Sequence, residues 1–65
     1  MTDIPSYFVA ASFAAEIARN ATRADAMLGR DDAELAKADD QVRKYLIATA
    51  DALGFVVVAK AQAAA

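Results

Sequence analysis

The run DDAELAKADD, residues 31–40, holds the densest set of groups in this chain that could do chemistry. Its carboxylates at Asp31, Asp32, Glu34, Asp39 and Asp40 are the hard oxygen donors that a divalent cation takes. On a helix those spacings scatter the five groups around the axis instead of gathering them on one side. Acidic residues also belong at a helix N-terminus, where they meet the positive end of the backbone dipole. The run reads as the solvated start of a helix, and no metal site is assigned to it.

The remaining candidates are sparser. Tyr7 and Tyr45 are the only phenols, and proton transfer through either needs a positioned partner. The chain has no His and no Cys, so the commonest general base, the commonest metal ligand and the thiolate nucleophile are all missing. Arg19 and Arg23, one helical turn apart, with Arg30 beyond them, make a small basic spot suited to a carboxylate or phosphate. The acidic second half of the chain supplies nearer partners. Asn20-Ala21-Thr22 matches the glycosylation acceptor pattern but falls inside a helical pattern, with no secretion leader in view. No phosphate loop, zinc spacing, nucleophile elbow or EF-hand loop occurs. No catalytic residue, cofactor or metal is expected, and the chain reads as non-enzymatic.

Net charge is −2, from seven Lys and Arg against nine Asp and Glu. A nucleic-acid binder needs a basic face to displace counterions from phosphate, and none is present. Lack of cysteine and of an apolar leader agrees with a cytoplasmic setting. Nineteen alanines favour helix throughout, and with the abundant Asp and Arg they suggest a GC-rich bacterial or phage source.

These residues must be positioned by very few elements. Gly29 in MLGRDDAEL suits the residue after a helix, where φ is positive and a Cβ is costly. Asp31 then caps a second helix, with Glu34 three residues on in the manner of a capping box. Pro5 is tolerated in a first turn, with Thr2, Asp3 or Ser6 as caps. The reading is an all-α antiparallel hairpin: a helix from about 5 to 28, a turn at 29–31 and a helix from about 32 to 62.

Apolar periodicity supports both helices. Tyr7, Ala10, Ala14, Ile17, Ala21, Ala24 and Leu28 alternate spacings of three and four. Leu35, Ala38, Val42, Tyr45, Thr49, Ala52, Val56 and Ala59 do the same, widened by Leu46 and Leu53. Folding about Gly29–Arg30 pairs Ile17 with Val42, Phe13 with Leu46 and Ala21 with Ala38. The same register sets Arg19 near Asp39 and Asp40, and Glu16 near Arg43. Asp39–Arg43 and Asp40–Lys44 are favourable pairs within the second helix.

Charge is distributed unevenly: thirteen of the sixteen charged residues fall between Glu16 and Lys44, towards the turn. The open end, YFVAASFAA and YLIATADALGFVVVAKA, carries only Asp51 and Lys60. Phe8, Ile47, Phe55 and Val58 point away from the seam, more than one hairpin can cover. The stretch DALGFVVVAKA is short for a membrane span, which needs about 20 apolar residues. It offers one strand without a second, and reads as a helix buried on most sides. Ala50 and Gly54 would let a neighbouring backbone approach closely.

A chain of this size buries only about 60% of its unfolded surface and usually needs a staple. Without disulfide or metal, oligomerisation remains, and a two-fold dimer forming a four-helix bundle is expected. In length and hairpin layout the pattern resembles the Rop-type plasmid copy-number regulators. The resemblance implies a dimeric antiparallel bundle; their RNA-binding function requires a cationic surface that this chain lacks. The chain also looks like very short phage-encoded regulators that inhibit a host protein by docking on it.

The expected function is an adaptor or inhibitor that binds itself and another protein through Phe8, Phe13, Ile47, Gly54, Phe55 and Val58. The alternative is a structural subunit whose apolar end is permanently buried in a larger assembly. A third reading, membrane-surface association through the same end, lacks a flanking Lys/Arg belt.

Overall fold

The computed structural model describes residues 4–63. The architecture is an all-α hairpin, with α1 (Tyr7–Met27) packed against α2 (Asp32–Leu53), followed by a single turn of helix, α3 (Lys60–Ala63). Helix α1 starts because Ser6, in extended conformation, turns its Oγ onto the N–H of Val9 at 3.3 Å. That satisfies one donor the first turn would leave unpaired. Pro5 therefore precedes the helix, and Thr2 and Asp3 lie outside the described residues.

The turn forms as its residues dictate. Leu28 (φ −56°, ψ 123°) and Gly29 (φ +70°) are the central residues of a type II turn, closed by Arg30 N–H donating to Met27 C=O at 3.0 Å. Only glycine takes the second of those positions without strain. Asp31 then caps α2, its Oδ1 accepting from Glu34 N–H at 3.1 Å. The return half of the capping box is not made, because Asp31 N–H goes back to Met27 C=O at 3.2 Å. This leaves the Glu34 carboxylate for Arg23 and Lys37.

The second helix ends at Leu53 instead of continuing to about residue 62. Gly54 adopts the left-handed conformation (φ +87°), with its N–H on Asp51 C=O at 3.1 Å and Phe55 N–H on Ala50 C=O at 2.8 Å. This pair of bonds is a Schellman closure. Beyond it Phe55–Ala59 is neither helix nor strand. Two causes act together. Val56, Val57 and Val58 lose side-chain freedom against a preceding helical turn. In addition, Ser6 N–H occupies the Ala52 carbonyl at 2.9 Å, the acceptor that Val56 N–H would use in a continuing helix. The reading of residues 51–61 as one buried helix is thus overturned. Gly54 serves as a stop signal and not as a close-approach point within a helix.

The seam is rotated slightly from expectation. On α1 the half-buried or buried positions are Ala10, Phe13, Glu16, Ile17, Asn20, Ala24 and Met27, while Tyr7, Ala14, Ala21 and Leu28 are exposed. One of the two interleaved sets, Ala10–Ile17–Ala24, holds. The other moves back by one residue, which brings Phe13 inward in place of Ala14, Asn20 in place of Ala21 and Met27 in place of Leu28, and the gain in apolar area comes from Phe13. On α2 Leu35, Ala38, Val42, Tyr45, Thr49 and Ala52 all turn inward as expected, whereas Val56 and Ala59 lie past the helix end and are exposed. Phe13 packs on Tyr45, ring centroids 5.7 Å apart, so the register is one residue from that pairing Phe13 with Leu46.

The molecule is a slab one helix thick, with principal extents of 47 × 33 × 12 Å. Among the described residues the buried hydrophobic ones are two alanines, Ala10 (6% exposed) and Ala38 (2%), and no large side chain is fully buried.

Candidate protein-interaction surface

The slab has two unlike faces, and the ion pairs identify the polar one. Arg23 of α1 reaches Glu34 of α2, and these residues share a shallow cleft of about 90 Å³ with Asn20, Lys37, Ala38 and Gln41. Advancing about 100° per residue from that line places Ser12, Glu16 and Arg19 on the same side of α1, and Lys44 on the same side of α2. Asn20, half-buried beside the seam, donates to its own Glu16 carbonyl at 2.8 Å, so it needs no partner on α2.

Charges pair more locally than the register suggested. Arg19 makes a forked contact with Glu16 of its own helix, at 3.1 and 3.3 Å, and does not reach Asp39 or Asp40. Arg43 likewise turns to Asp39 at 2.8 Å and leaves Glu16. The hydrogen bond that Arg43 donates to Asp39, reinforced by the carboxylate charge, raises Arg43 above its ordinary pKa. Arg23–Glu34 is the cross-helix ion pair among the described residues, and spacing alone had not singled it out.

The opposite face carries Tyr7, Ala14, Ala18 and Ala21 of α1, with Leu46 and Leu53 of α2 beside them. Its α1 half holds no charge before Asp25. Asp39, seven residues before Leu46 and so on the same line of α2, also lies on this face, paired with Arg43 of its own helix.

Further large apolar side chains are exposed towards the open end. Phe8 (84% exposed) and Phe55 (70%) stand in solvent, and Ile47, Val56 and Val58 are exposed as well. The segment after Gly54 lies beside α2, and Val57, Val58 and Ala59 line a groove of about 350 Å³ with Leu46, Ile47 and Arg43. A second cleft, of about 390 Å³, lies where the chain enters α1 and leaves α2, lined by Ile4, Pro5, Ser6, Asp51, Ala52 and Gly54. Of the six expected interface residues, Ile47 and Val58 line one groove and Gly54 lines the other cleft. Phe8 and Phe55 are exposed near this end, and Phe13 is instead half-buried in the seam against Tyr45. Val56 and Val57 belong to this surface too. They were read as part of a helix, and the high β-propensity of the FVVV run was the signal that they were not.

Among the described residues no cluster of His, Cys, Asp or Glu is placed to hold a metal ion, and no helix is long and apolar enough to cross a membrane. Neither cleft brings a nucleophile, a base and an anion-binding group together. The chain matches no protein-family model, no curated protein and no solved structure.

Proposed function

We propose that this chain is a non-enzymatic protein-interaction module, a small adaptor or inhibitor that works as a homodimer and docks on another protein through its open end. The observation that carries this reading is the mismatch between its apolar side chains and its core. Two alanines are buried, while Phe8, Ile47, Phe55, Val56 and Val58 stand in solvent. Large apolar side chains exposed in this number mark interaction sites, and a few of them supply most of the binding energy. The Phe55–Val58 segment, neither helix nor strand, offers its backbone as well, since Val56, Val57 and Val58 make no backbone hydrogen bond among the described residues. A segment with free donors and acceptors can add as a strand to an exposed sheet edge. The target is therefore a protein with an apolar surface. The alanine-rich composition, taken with its Asp and Arg, favours a bacterial or phage setting, with the target in the same cytoplasm.

The test is capture from a bacterial lysate on the immobilised chain, run beside Phe8→Ala and Phe55→Glu. A discrete partner held by the parent and lost from both variants supports the reading. Equal capture by all three overturns it. Irregular large particles formed by the isolated chain would favour instead a structural subunit that has lost its assembly.

A further inference from the structure

A folded monomer of 6.8 kDa is expected to expose about 3,950 Å², and this chain exposes 5223 Å², roughly 1,250 Å² more. Its Cα radius of gyration of 13.8 Å exceeds the roughly 10.7 Å expected for this length. Both follow from the slab being a single layer, whereas stable domains close a core between two. A standard interface removes about 800 Å² from each partner, so one further layer of the same kind accounts for about two-thirds of the surplus. We infer that this layer is a second copy of the chain, seated on the face that carries Tyr7, Ala14, Ala21 and Leu46, about a two-fold axis crossing the helices near their midpoints. The inference rests on the homodimer reading above and adds the face and the axis.

Three features select this face. The opposite one is lined by Glu16, Arg19, Arg23, Glu34, Lys37 and Lys44, and burying it would strip water from more charges than the Asp39–Arg43 pair and Asp25 of the chosen face. The apolar stripe written in the sequence is also wider than the hairpin uses. Ala10, Ile17 and Ala24 turn towards α2, while Tyr7, Ala14, Ala21 and Leu28 turn onto the uncovered face. A stripe split between an in-chain neighbour and an empty flank is what each helix of a four-helix bundle presents to the bundle centre.

The third feature is self-complementarity. A two-fold contact requires that residue i meet j while j meets i. On α1 the sizes run large, small, small, large at Tyr7, Ala14, Ala21 and Leu28. Antiparallel apposition of two copies therefore sets Tyr7 against the partner's Leu28, and Ala14 against the partner's Ala21. On α2 the same operation sets Leu35 against the partner's Leu46. The two midpoints, one between Ala14 and Ala21 and the other between Leu35 and Leu46, lie at the same height in the register that places Phe13 opposite Tyr45. One axis thus serves both helices. It leaves Phe8 and Phe55 outside the dimer, one open end at each extremity, free for a different protein.

The experiment is light scattering of the purified full chain together with disulfide trapping, which the absence of native cysteine makes clean. The parent should have the mass of two chains. Ala18→Cys, beside the axis, should oxidise to a covalent dimer, whereas Ser12→Cys on the polar face should not. Ala14→Glu and Ala21→Glu should be monomeric or unfolded at concentrations where Phe55→Glu remains dimeric. A one-chain mass for the parent overturns the inference, as does trapping through Ser12→Cys in preference to Ala18→Cys. Loss of the dimer in Phe55→Glu alone also overturns it. None of these readouts involves the target, so failure here is distinct from failure of the docking reading, which capture by Phe55→Glu decides.

Discussion

Ser6 donates its backbone N–H to the carbonyl of Ala52 at 2.9 Å, tying the entrance of α1 to the last turn of α2. The bond closes the open end of the hairpin and fills an acceptor that further helix would use. Together with the left-handed Gly54 two residues on, it holds the apolar FVVV segment out of the helix and beside it.

Gly54 is therefore the position where a Cβ should matter most. A Cβ added there meets nothing within 4 Å, so the whole cost of Gly54→Ala is backbone strain at φ +87°. The left-handed conformation costs an L-residue roughly 1–2 kcal/mol. Thermal denaturation followed by circular dichroism should show a midpoint lower by several degrees. Gly54→Asn should recover most of the loss, because asparagine tolerates this region. Equal losses from Ala and Asn would locate the effect elsewhere.

The start of α2 gives a second test. Asp31→Ala removes the acceptor for Glu34 N–H and should cost about 1 kcal/mol, while Asp31→Asn or Asp31→Ser should stay within a few tenths. Urea midpoints measured at constant slope separate these outcomes.

The hairpin was legible because its determinants are local. Gly29 and Asp31 announce a turn and a cap by conformational preference alone, and heptad spacing marks two helices whatever surrounds them. The end of α2 was harder to read. Gly54 resembles any glycine on a helical pattern until Ser6, forty-eight positions earlier, is seen to claim the Ala52 carbonyl. Seam rotation was hidden for a related reason: an alanine-rich stripe is nearly as apolar at Ala14 as at its neighbours, and only the bulk of Phe13 and Met27 decides which side turns inward. The exposed rings at Phe8 and Phe55 were legible by simple excess. The groove beside Leu46 and Ile47 was not, because it requires the chain to reverse after Gly54.

Phe8 and Phe13 lie five positions apart on α1 and should behave oppositely. Phe13 is half-buried against Tyr45, so Phe13→Ala should destabilise the fold by about 2 kcal/mol, below the range for a fully buried phenylalanine. Phe8 is 84% exposed, and Phe8→Ala should stay within about 0.5 kcal/mol of the parent while losing target capture. Chemical denaturation and capture measured on the same preparations distinguish a residue of the fold from a residue of the surface.

Arg23 and Glu34 join the two helices beside the turn, and the energetics of that bridge are open to a direct cycle. Arg23 is exposed (60%) and Glu34 half-buried (30%), so water still reaches the pair and its coupling should be below about 1 kcal/mol. Lys37 lies 3.6 Å from the other Glu34 oxygen, so Glu34→Gln disturbs two contacts while Arg23→Gln disturbs one. The coupling is therefore best taken from Arg23→Gln in the presence and absence of Glu34→Gln. It should shrink as salt shortens the screening length from about 10 Å at 0.1 M to about 3 Å at 1 M. A coupling of several kcal/mol, insensitive to salt, would mean that water is excluded from this face and that a second molecule covers the polar side of the slab.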